Sequence, residues 1–208
     1  MQSPLYAFDS DYCLDAGRYL AGVDEAGRGP LAGPVVAAAV IFVQKEELPY
    51  LNDSKKLSAK RREILYKLIT ENAFVGIGSA TEAEIDLINI YQASRLAMKR
   101  ALLNLNQVPD FVLIDGNMSL DIEPLQKSVI KGDQKSASIA AASIIAKVYR
   151  DNHMTEADAL YPGYAFAKHK GYGTKTHLEA LESLGPSPIH RKTFAPVRTA
   201  YERIKQLV

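Results

Sequence analysis

The 208-residue chain is predicted to be an α/β protein in which helices cover both faces of one sheet. Short apolar runs come early in the chain and then alternate with stretches of helical periodicity. Hydrophobic residues make up 47% of the chain, which suffices for a core and excludes a disordered protein. We expect the chain, residues 1–208, to form one domain.

Strands are predicted from apolar, β-rich runs that end in turn signals. The first is Tyr19–Asp24, and the second is the buried run Pro34–Val43. Phe74–Ser79 alternates but contains two glycines, which predicts a weaker third strand. Asp110–Asp115 predicts a fourth strand, and Lys127–Lys131 predicts a short fifth strand.

Helices are predicted from capping residues and helical spacing. Ser58 is expected to cap a helix that continues to about residue 71. Thr81 opens a capping-box signature for a helix over 81–105, with a break near 88–90. The remaining expectations are a loose lead-in at 1–17, a small-residue helix at Ser138–Asp151, a turn-rich loop at Tyr161–Gly173, and short helices near Thr176–Leu184 and Pro196–Leu207.

Composition argues against several classes of protein. No apolar run approaches the roughly 20 residues of a membrane helix, and residues 1–18 lack the apolar segment of a secretory signal. Cys13 is the only cysteine, so an intrachain disulfide and a thiolate zinc cluster are excluded. A cytoplasmic location is therefore expected.

The net charge of +1 does not decide whether the chain binds nucleic acid, but the distribution of charge is informative. Between Gly163 and Arg198, six basic residues outnumber two acidic ones, and a second basic cluster lies at 55–62. These zones could hold phosphates without reading sequence, or they could be solvated surfaces. The first zone contains Lys168, Lys170, Lys175, Arg191, Lys192 and Arg198, together with His169, His177 and His190.

Acidic residues stand at or just after the ends of three predicted strands. Asp24 and Glu25 end the first strand, Asp115 ends the fourth, and Asp133 follows the fifth. Sites in open α/β sheets form at this edge, and carboxylates gathered there would repel each other. Two Mg²⁺ or Mn²⁺ ions about 3.5–4 Å apart would offset that repulsion and support in-line phosphoryl displacement.

Each acid also has an ordinary structural interpretation. Consecutive strand residues point to opposite faces, so Asp24 and Glu25 could share a site only if the chain curls at the strand end. Otherwise one of them caps a turn. Asp115 could belong to a turn, and Asp133 could interact favourably with the dipole of the helix that follows it. Their shared position at strand ends favours the metal site.

The segment Gly27–Gly33 is a glycine-rich turn. Its spacing does not match a dinucleotide fingerprint, and the chain has no P-loop motif. Gly27 and Gly29 would let the backbone approach a ribose or phosphate, and Arg28 can neutralise a phosphate. The alternative is an ordinary connection between strands that needs glycine for its bend.

Six short motifs follow one another between Tyr19 and about Phe194. They are Asp24-Glu25-Ala26-Gly27-Arg28-Gly29-Pro30, Asn52-Asp53-Ser54-Lys55-Lys56-Leu57-Ser58, Leu113-Ile114-Asp115-Gly116-Asn117, Lys131-Gly132-Asp133, Ala140-Ala141-Ala142-Ser143-Ile144-Ile145-Ala146-Lys147 and His169-Lys170-Gly171-Tyr172. Together and in this order they resemble bacterial ribonuclease HII, of the type 2 ribonuclease H family. The HII branch fits better than HIII, because the chain has no room for the extra N-terminal domain of HIII.

This resemblance implies a ribonuclease H-like fold: a five-stranded mixed sheet flanked by helices, with a C-terminal helical appendage from about residue 160. It implies a metal-dependent endonuclease, with Mn²⁺ or Mg²⁺ as cofactor, that cuts the RNA strand of RNA–DNA hybrids. The enzyme would also cut at ribonucleotides embedded in duplex DNA. The products would carry a 3′-hydroxyl and a 5′-phosphate, as primer removal in replication and ribonucleotide excision repair require.

The resemblance also assigns roles to residues of this chain. The catalytic and metal-binding acids would be Asp24, Glu25, Asp115 and Asp133. The ribose 2′-hydroxyl would be sensed by Gly27, Arg28 and Gly29. Tyr172 would pack on the sugar at the junction, and Lys55 would face a phosphate. Without the resemblance, Tyr172 could be a turn tyrosine packed under its loop. A monomer is expected, and a sliding clamp is a candidate partner, although Lys205–Val208 is too short a signal to support one.

Two other functions fit part of the sequence. A sugar-kinase or actin-like ATPase would share Gly22–Asp24 followed by glycines, but it needs two such domains, for which 208 residues are too few. A non-catalytic nucleic-acid-binding module would explain the basic zones. It would not explain acids at strand ends, which repel phosphate unless a metal is bound. A ribonuclease is therefore the function we expect.

Overall fold

The computed structural model describes residues 3–12, 18–43, 47–51 and 57–206. Its strands are β1 (Leu20–Ala26), β2 (Val35–Phe42), β3 (Ala73–Ala80), β4 (Phe111–Asp115) and β5 (Leu125–Val129). They form one sheet in the order β3-β2-β1-β4-β5. β2 pairs antiparallel with β1 and β3, whereas β4 pairs parallel with β1 and β5. The expected five-stranded mixed sheet is confirmed.

Helices cover both faces of this sheet. They are α1 (Pro4–Ser10), α2 (Ala59–Asn72), α3 (Glu82–Leu103), α4 (Ala137–Leu160), α5 (Phe166–His169), α6 (Lys175–Leu184) and α7 (Ala195–Gln206), with a 3-10 turn at Gly132–Gln134. α3 packs on one face, and α2 and α4 pack on the other. Within the described ranges, no helix is both long enough and apolar enough to cross a membrane.

The predicted caps of α2 and α3 are confirmed. The Ser58 hydroxyl accepts from the Arg61 backbone N–H at 3.3 Å. Thr81 and Glu84 form the capping box at the start of α3. The predicted break in α3 lies at Asn89, which has a φ of 65°.

Two expectations about element boundaries were wrong. The lead-in is not wholly loose, because α1 forms there and Asp9 accepts from the Ser138 N–H at 2.8 Å. α4 continues beyond residue 151 to Leu160, since Met154 and Ala157 on its second half are buried in a separate core. Both differences depend on contacts with distant parts of the chain, which local spacing does not reveal.

The sheet and α4 approach each other most closely at Gly22 in β1. A methyl group at this position would lie 2.1 Å from the Ser138 carbonyl carbon in the first turn of α4. Such a distance is far inside van der Waals contact, so only glycine allows this packing. The start of α4 therefore lies directly on β1, just before the strand's two acids.

A chain of histidines holds the C-terminal segment together. The His177 ring stacks on His169, with ring centres 4.5 Å apart, and its Nε2 lies 3.0 Å from Nε2 of His190. The Ser187 N–H donates to Nδ1 of His190 at 2.9 Å, so a neutral His190 carries its proton on Nε2 and donates to His177. His177 Nδ1–H then donates to the Tyr172 carbonyl at 2.9 Å. This chain of hydrogen bonds holds the backbone of Tyr172.

These histidines are not part of a charged surface, although they lie in a basic zone of the sequence. His177 and His190 are completely or almost completely buried. Burial lowers the pKa of both rings, and it lowers the pKa of His190 to about 4, with the neighbouring His177 adding to the effect. Both rings are therefore neutral at physiological pH.

Replacing Gly22 with alanine should strongly destabilise the fold. The added methyl group would have to displace the backbone of α4, which we expect to lower the free energy of unfolding by about 3 kcal/mol. Urea denaturation measures this quantity. Gly116→Ala is the matched control: Gly116 has a φ of 83° but open space around it, so only a backbone penalty of about 1 kcal/mol applies. Equal losses in the two variants would contradict the close packing at Gly22.

The buried histidines should make stability depend on pH. The unfolded chain protonates His190 near pH 6.5, whereas the folded protein does so only near pH 4. Its contribution is therefore fully present above about pH 6.5 and is lost as the pH falls toward 4, by up to about 1.4 kcal/mol per pH unit. Acidic groups titrate in the same range, so the variant His190→Gln isolates this contribution.

Denaturation between pH 4 and pH 7 should show a shallower pH dependence in His190→Gln than in the wild type. His153→Gln, at an exposed position of α4, should keep the wild-type slope. If His190→Gln also kept that slope, a neutral, buried His190 would be ruled out.

Candidate active site

Parallel pairing brings two of the predicted acids side by side. β1 and β4 pair Gly22 with Leu113 and Val23 with Ile114, so Asp24 and Asp115 are the next neighbours and lie on the same face. Asp24 is only 6% exposed. The turn after β5 adjoins them, because the Gly132 N–H donates to Oδ1 of Asp115 at 2.6 Å.

Glu25 lies at the same edge but begins on the other face of the sheet. β1 stays paired with β2 as far as Ala26, so the expected curl between the two acids is absent. The two carboxylates are nevertheless close enough for the charge of Glu25 to raise the pKa of Asp24. One carboxylate oxygen of Glu25 accepts from Arg28 Nη1 at 3.3 Å. The other, Oε2, is buried and has no hydrogen-bond partner among the described residues. A buried, unsatisfied carboxylate oxygen is an expected ligand for a hard cation.

The acids oppose one another's ionisation. Burial raises the pKa of Asp24 well above its ordinary value, and the charges of Glu25 and Asp115 raise it further. Burial also raises the pKa of Glu25; Arg28 partly counters this, and the charge of Asp115 adds to it. The Ser143 hydroxyl bonds to Asp24 and favours its charged form. A bound cation would relieve the remaining repulsion.

Asp133 lies in the 3-10 turn Gly132–Gln134 and is 4% exposed. The turn follows Lys131, whose φ of 56° reverses the chain after β5. Within the described ranges, no three acidic, histidine or cysteine side chains are already arranged to hold a metal ion. The site thus supplies oxygen ligands of the kind Mg²⁺ and Mn²⁺ prefer, without a closed ligand set.

The predicted substrate residues form one surface beside the acids. Gly27 begins the turn with a φ of 98°, and the Arg28 side chain is 47% exposed. A methyl group on Gly29 would lie 3.7 Å from Cε1 of Tyr172, which is 44% exposed. The structure therefore brings Tyr172 against the Gly-Arg-Gly turn. Lys55 lies outside the described residues.

Several residues at the site were not identified from the sequence. Lys147 Nζ lies 6.0 Å from the centre of the Tyr172 ring and 2.8 Å from Asp151. Arg150 and Arg191 are buried behind the glycine turn. Helical spacing could have predicted that Arg150 is buried, because it follows Ala146 by four residues on the buried face of α4. No sequence pattern predicts that Arg191 is buried, and its position in a basic zone suggests an exposed phosphate contact instead.

Comparisons with known proteins agree with this geometry. The family model described as Ribonuclease HII matches residues 21–197. Ribonuclease HII of Enterococcus faecalis is 59% identical over 182 residues, which cover 87% of this chain and 71% of that protein.

Solved structures show the same fold. Ribonuclease H2 of Pyrococcus horikoshii has a TM-score of 0.76 at 26% identity, covering 90% of this chain and 99% of that one. Ribonuclease HII of Archaeoglobus fulgidus, solved in a PCNA:RNase HII complex, has a TM-score of 0.72 at 26% identity. The match covers 85% of this chain and 95% of that one. The expected ribonuclease H-like fold is confirmed. The chain belongs to the ribonuclease HII family and is therefore a metal-dependent endoribonuclease.

Proposed function

We propose that this enzyme cuts duplex DNA at single embedded ribonucleotides as well as the RNA strand of RNA–DNA hybrids. The observation that carries the proposal is the continuity of the site. The turn Gly27–Gly29 follows directly from the acids Asp24 and Glu25, and the Tyr172 ring packs beside Gly29. A ribose held by this turn would place its phosphate near the strand-end acids.

The carboxylates of Asp24, Glu25, Asp115 and Asp133 would hold two divalent ions, Mg²⁺ or Mn²⁺. When bound, these ions would polarise the phosphodiester and lower the pKa of the attacking water, giving 3′-hydroxyl and 5′-phosphate products. Because the described side chains do not already form a ligand set, the acids would turn toward a shared point on binding. The unsatisfied Glu25 Oε2 supports this assignment.

Recognition of a single ribonucleotide depends on its 2′-hydroxyl, the one group that distinguishes it from DNA. The backbone of Gly27 and Gly29 has no side chain to block a close approach to the sugar. Arg28 is half-exposed and bonds Glu25 at 3.3 Å, so it can turn to a phosphate. Tyr172 would pack on the sugar, with Lys147 beside its ring. A phosphate contact by Lys55 stays a prediction.

We further propose that the chain acts as a single-domain monomer in the cytoplasm. Its C-terminal segment would complete the site, because it supplies Tyr172. The complex with PCNA belongs to the archaeal relative, and a clamp partner for this chain stays a prediction. Both primer removal and ribonucleotide repair would use the proposed activity.

The direct test is incubation with duplex DNA that carries one ribonucleotide, in Mg²⁺ or Mn²⁺, followed by mapping of the cut. We expect one incision beside the ribonucleotide and none in an all-DNA duplex of the same sequence. Binding without cleavage in either metal would favour a non-catalytic binding module. Turnover of ATP without nucleic acid would favour the ATPase alternative.

Asp24→Asn should abolish cleavage without unfolding the protein. Loss of a metal ligand removes several kcal/mol of transition-state stabilisation. The rate of cleavage should therefore fall by at least about a hundredfold. The melting temperature should stay the same or rise, because a buried charge is removed. Asp121→Asn is the control, since this side chain is 97% exposed on the protein surface. Full activity of Asp24→Asn in Mg²⁺ would show that the metal site is misplaced.

Tyr172→Ala should impair cleavage at an embedded ribonucleotide by about tenfold, because stacking on a ring contributes roughly 1–3 kcal/mol. Tyr172→Phe, which keeps the ring, should retain most of the activity. Tyr91→Ala, at a comparably exposed tyrosine of α3 (41% against 44%), should cleave normally. Affinity for an all-DNA duplex should be unchanged in every variant. If Tyr172→Ala lost DNA affinity as well as cleavage, a folding defect would be indicated instead.

A further inference from the structure

One buried guanidinium binds the glycine turn from behind. Arg191 is completely buried, and its Nε donates to the Gly33 carbonyl at 2.9 Å. Its two terminal nitrogens donate to the carbonyls of Arg28, at 2.9 Å, and Gly27, at 2.6 Å. Arg191 therefore bonds to both ends of the turn at once.

A second buried arginine supports the far side of the same turn. Arg150 donates to the carbonyls of Pro34 at 2.9 Å and Ala32 at 3.1 Å. A methyl group on Gly27 would lie 2.0 Å from Arg150 Nε, so the turn is pressed against this side chain. Arg150 thus anchors the end of the turn, and of the two arginines only Arg191 reaches the carbonyls of Gly27 and Arg28.

The inward direction of these carbonyls determines where the neighbouring N–H groups point. In a trans peptide the carbonyl of one residue and the N–H of the next point in opposite directions. Because the carbonyls of Gly27 and Arg28 face Arg191, the N–H groups of Arg28 and Gly29 face away from it. Neither N–H donates to another described residue. Two adjacent free N–H groups form a small site that receives an oxygen.

Burying two guanidinium groups together is costly for the fold. Burial and the charge of Arg150 lower the pKa of Arg191 to about 9, so it is still charged at neutral pH. Among the described residues, neither arginine forms a direct ion pair with a carboxylate; backbone carbonyls are their hydrogen-bond partners. Replacing the two arginines with apolar residues would leave six carbonyls without these donors. The two guanidinium groups therefore fix the shape of the turn.

We propose that Arg191 is a positioning and specificity-determining residue for recognition of the ribonucleotide. Its fork turns two carbonyls inward, so that the N–H groups of Arg28 and Gly29 face the ribose 2′-hydroxyl. This inference rests on the proposed cleavage at embedded ribonucleotides. Arg191 acts through the turn and does not touch the substrate.

Lysine cannot replace arginine in this role. The guanidinium carries five N–H donors in a planar fork, whereas an ammonium is a compact point charge. Arg191→Lys keeps most of the stem but cannot reach Gly27, Arg28 and Gly33 together. A displaced turn should lower kcat rather than raise KM, since duplex affinity comes mainly from phosphate contacts.

The test compares Arg191→Lys with Arg100→Lys. Arg100 likewise donates to a backbone carbonyl, that of Ser79, and it also bonds the Glu84 carboxylate, but it lies away from the turn. Each variant is assayed 15 °C below its own melting midpoint, on a duplex with one ribonucleotide. We expect both to melt at lower temperature, but only Arg191→Lys to lose kcat, by about tenfold. An unchanged kcat in Arg191→Lys, or equal losses in both variants, would overturn the proposal.

A wild-type enzyme that did not cut this duplex would refute the proposed function itself, which keeps the two failures distinct. If Arg191→Lys does not fold, NMR of the otherwise native Asp24→Asn protein gives the answer. The ribonucleotide duplex should shift the backbone N–H signals of Arg28 and Gly29 and the side-chain Nε–H signal of Arg191. An all-DNA duplex should leave them unchanged, and equal shifts with both duplexes would refute the role.

Discussion

Parallel pairing of β1 with β4 places the carboxylates of Asp24 and Asp115 side by side at a buried edge of the sheet. Glu25 joins them from the next position of β1, and burial and mutual repulsion hold both β1 acids at raised pKa values. Arg28 is the one cation bonded to this group in the described structure, and it bonds Glu25 alone. Among the described residues, Arg28 balances only part of this group of charges, and the proposed divalent ions would provide further positive charge.

The turn proposed to sense the ribose depends on a separate support. Gly27–Gly29 continues from the acids, but the groups that shape it come from the other end of the chain. Arg150 and Arg191 bind its carbonyls, and the histidine chain through His177 holds Tyr172 next to it. The helical appendage therefore lines one side of the candidate active site. The proposed metal binding and ribose recognition would share one segment of backbone, so a small shift in the turn would affect both.

Local pattern was enough to predict most of the fold and the position of the acids. Apolar runs predict the five strands, and the strand-end rule groups Asp24 with Asp115. The sequence does not predict helix α1, because this helix is held by distant contacts such as those of Asp9 with Ser138 and of Tyr6 with Phe42. Arg191 was interpreted as surface charge, since a buried arginine in a loop has no periodic signal. Such features arise from contacts across more than a hundred residues of sequence, which spacing alone does not encode.

Calorimetric titration of Mn²⁺ into the metal-free protein and into Asp115→Asn tests most directly whether the strand-end acids are a cation site. The wild type should bind Mn²⁺ with a saturable signal, and Mn²⁺ should raise its melting temperature by mass action. Asp115→Asn should lose most of the binding and the shift in melting temperature while keeping its fold. Equal binding by the two proteins, or no saturable binding by the wild type, would contradict the account.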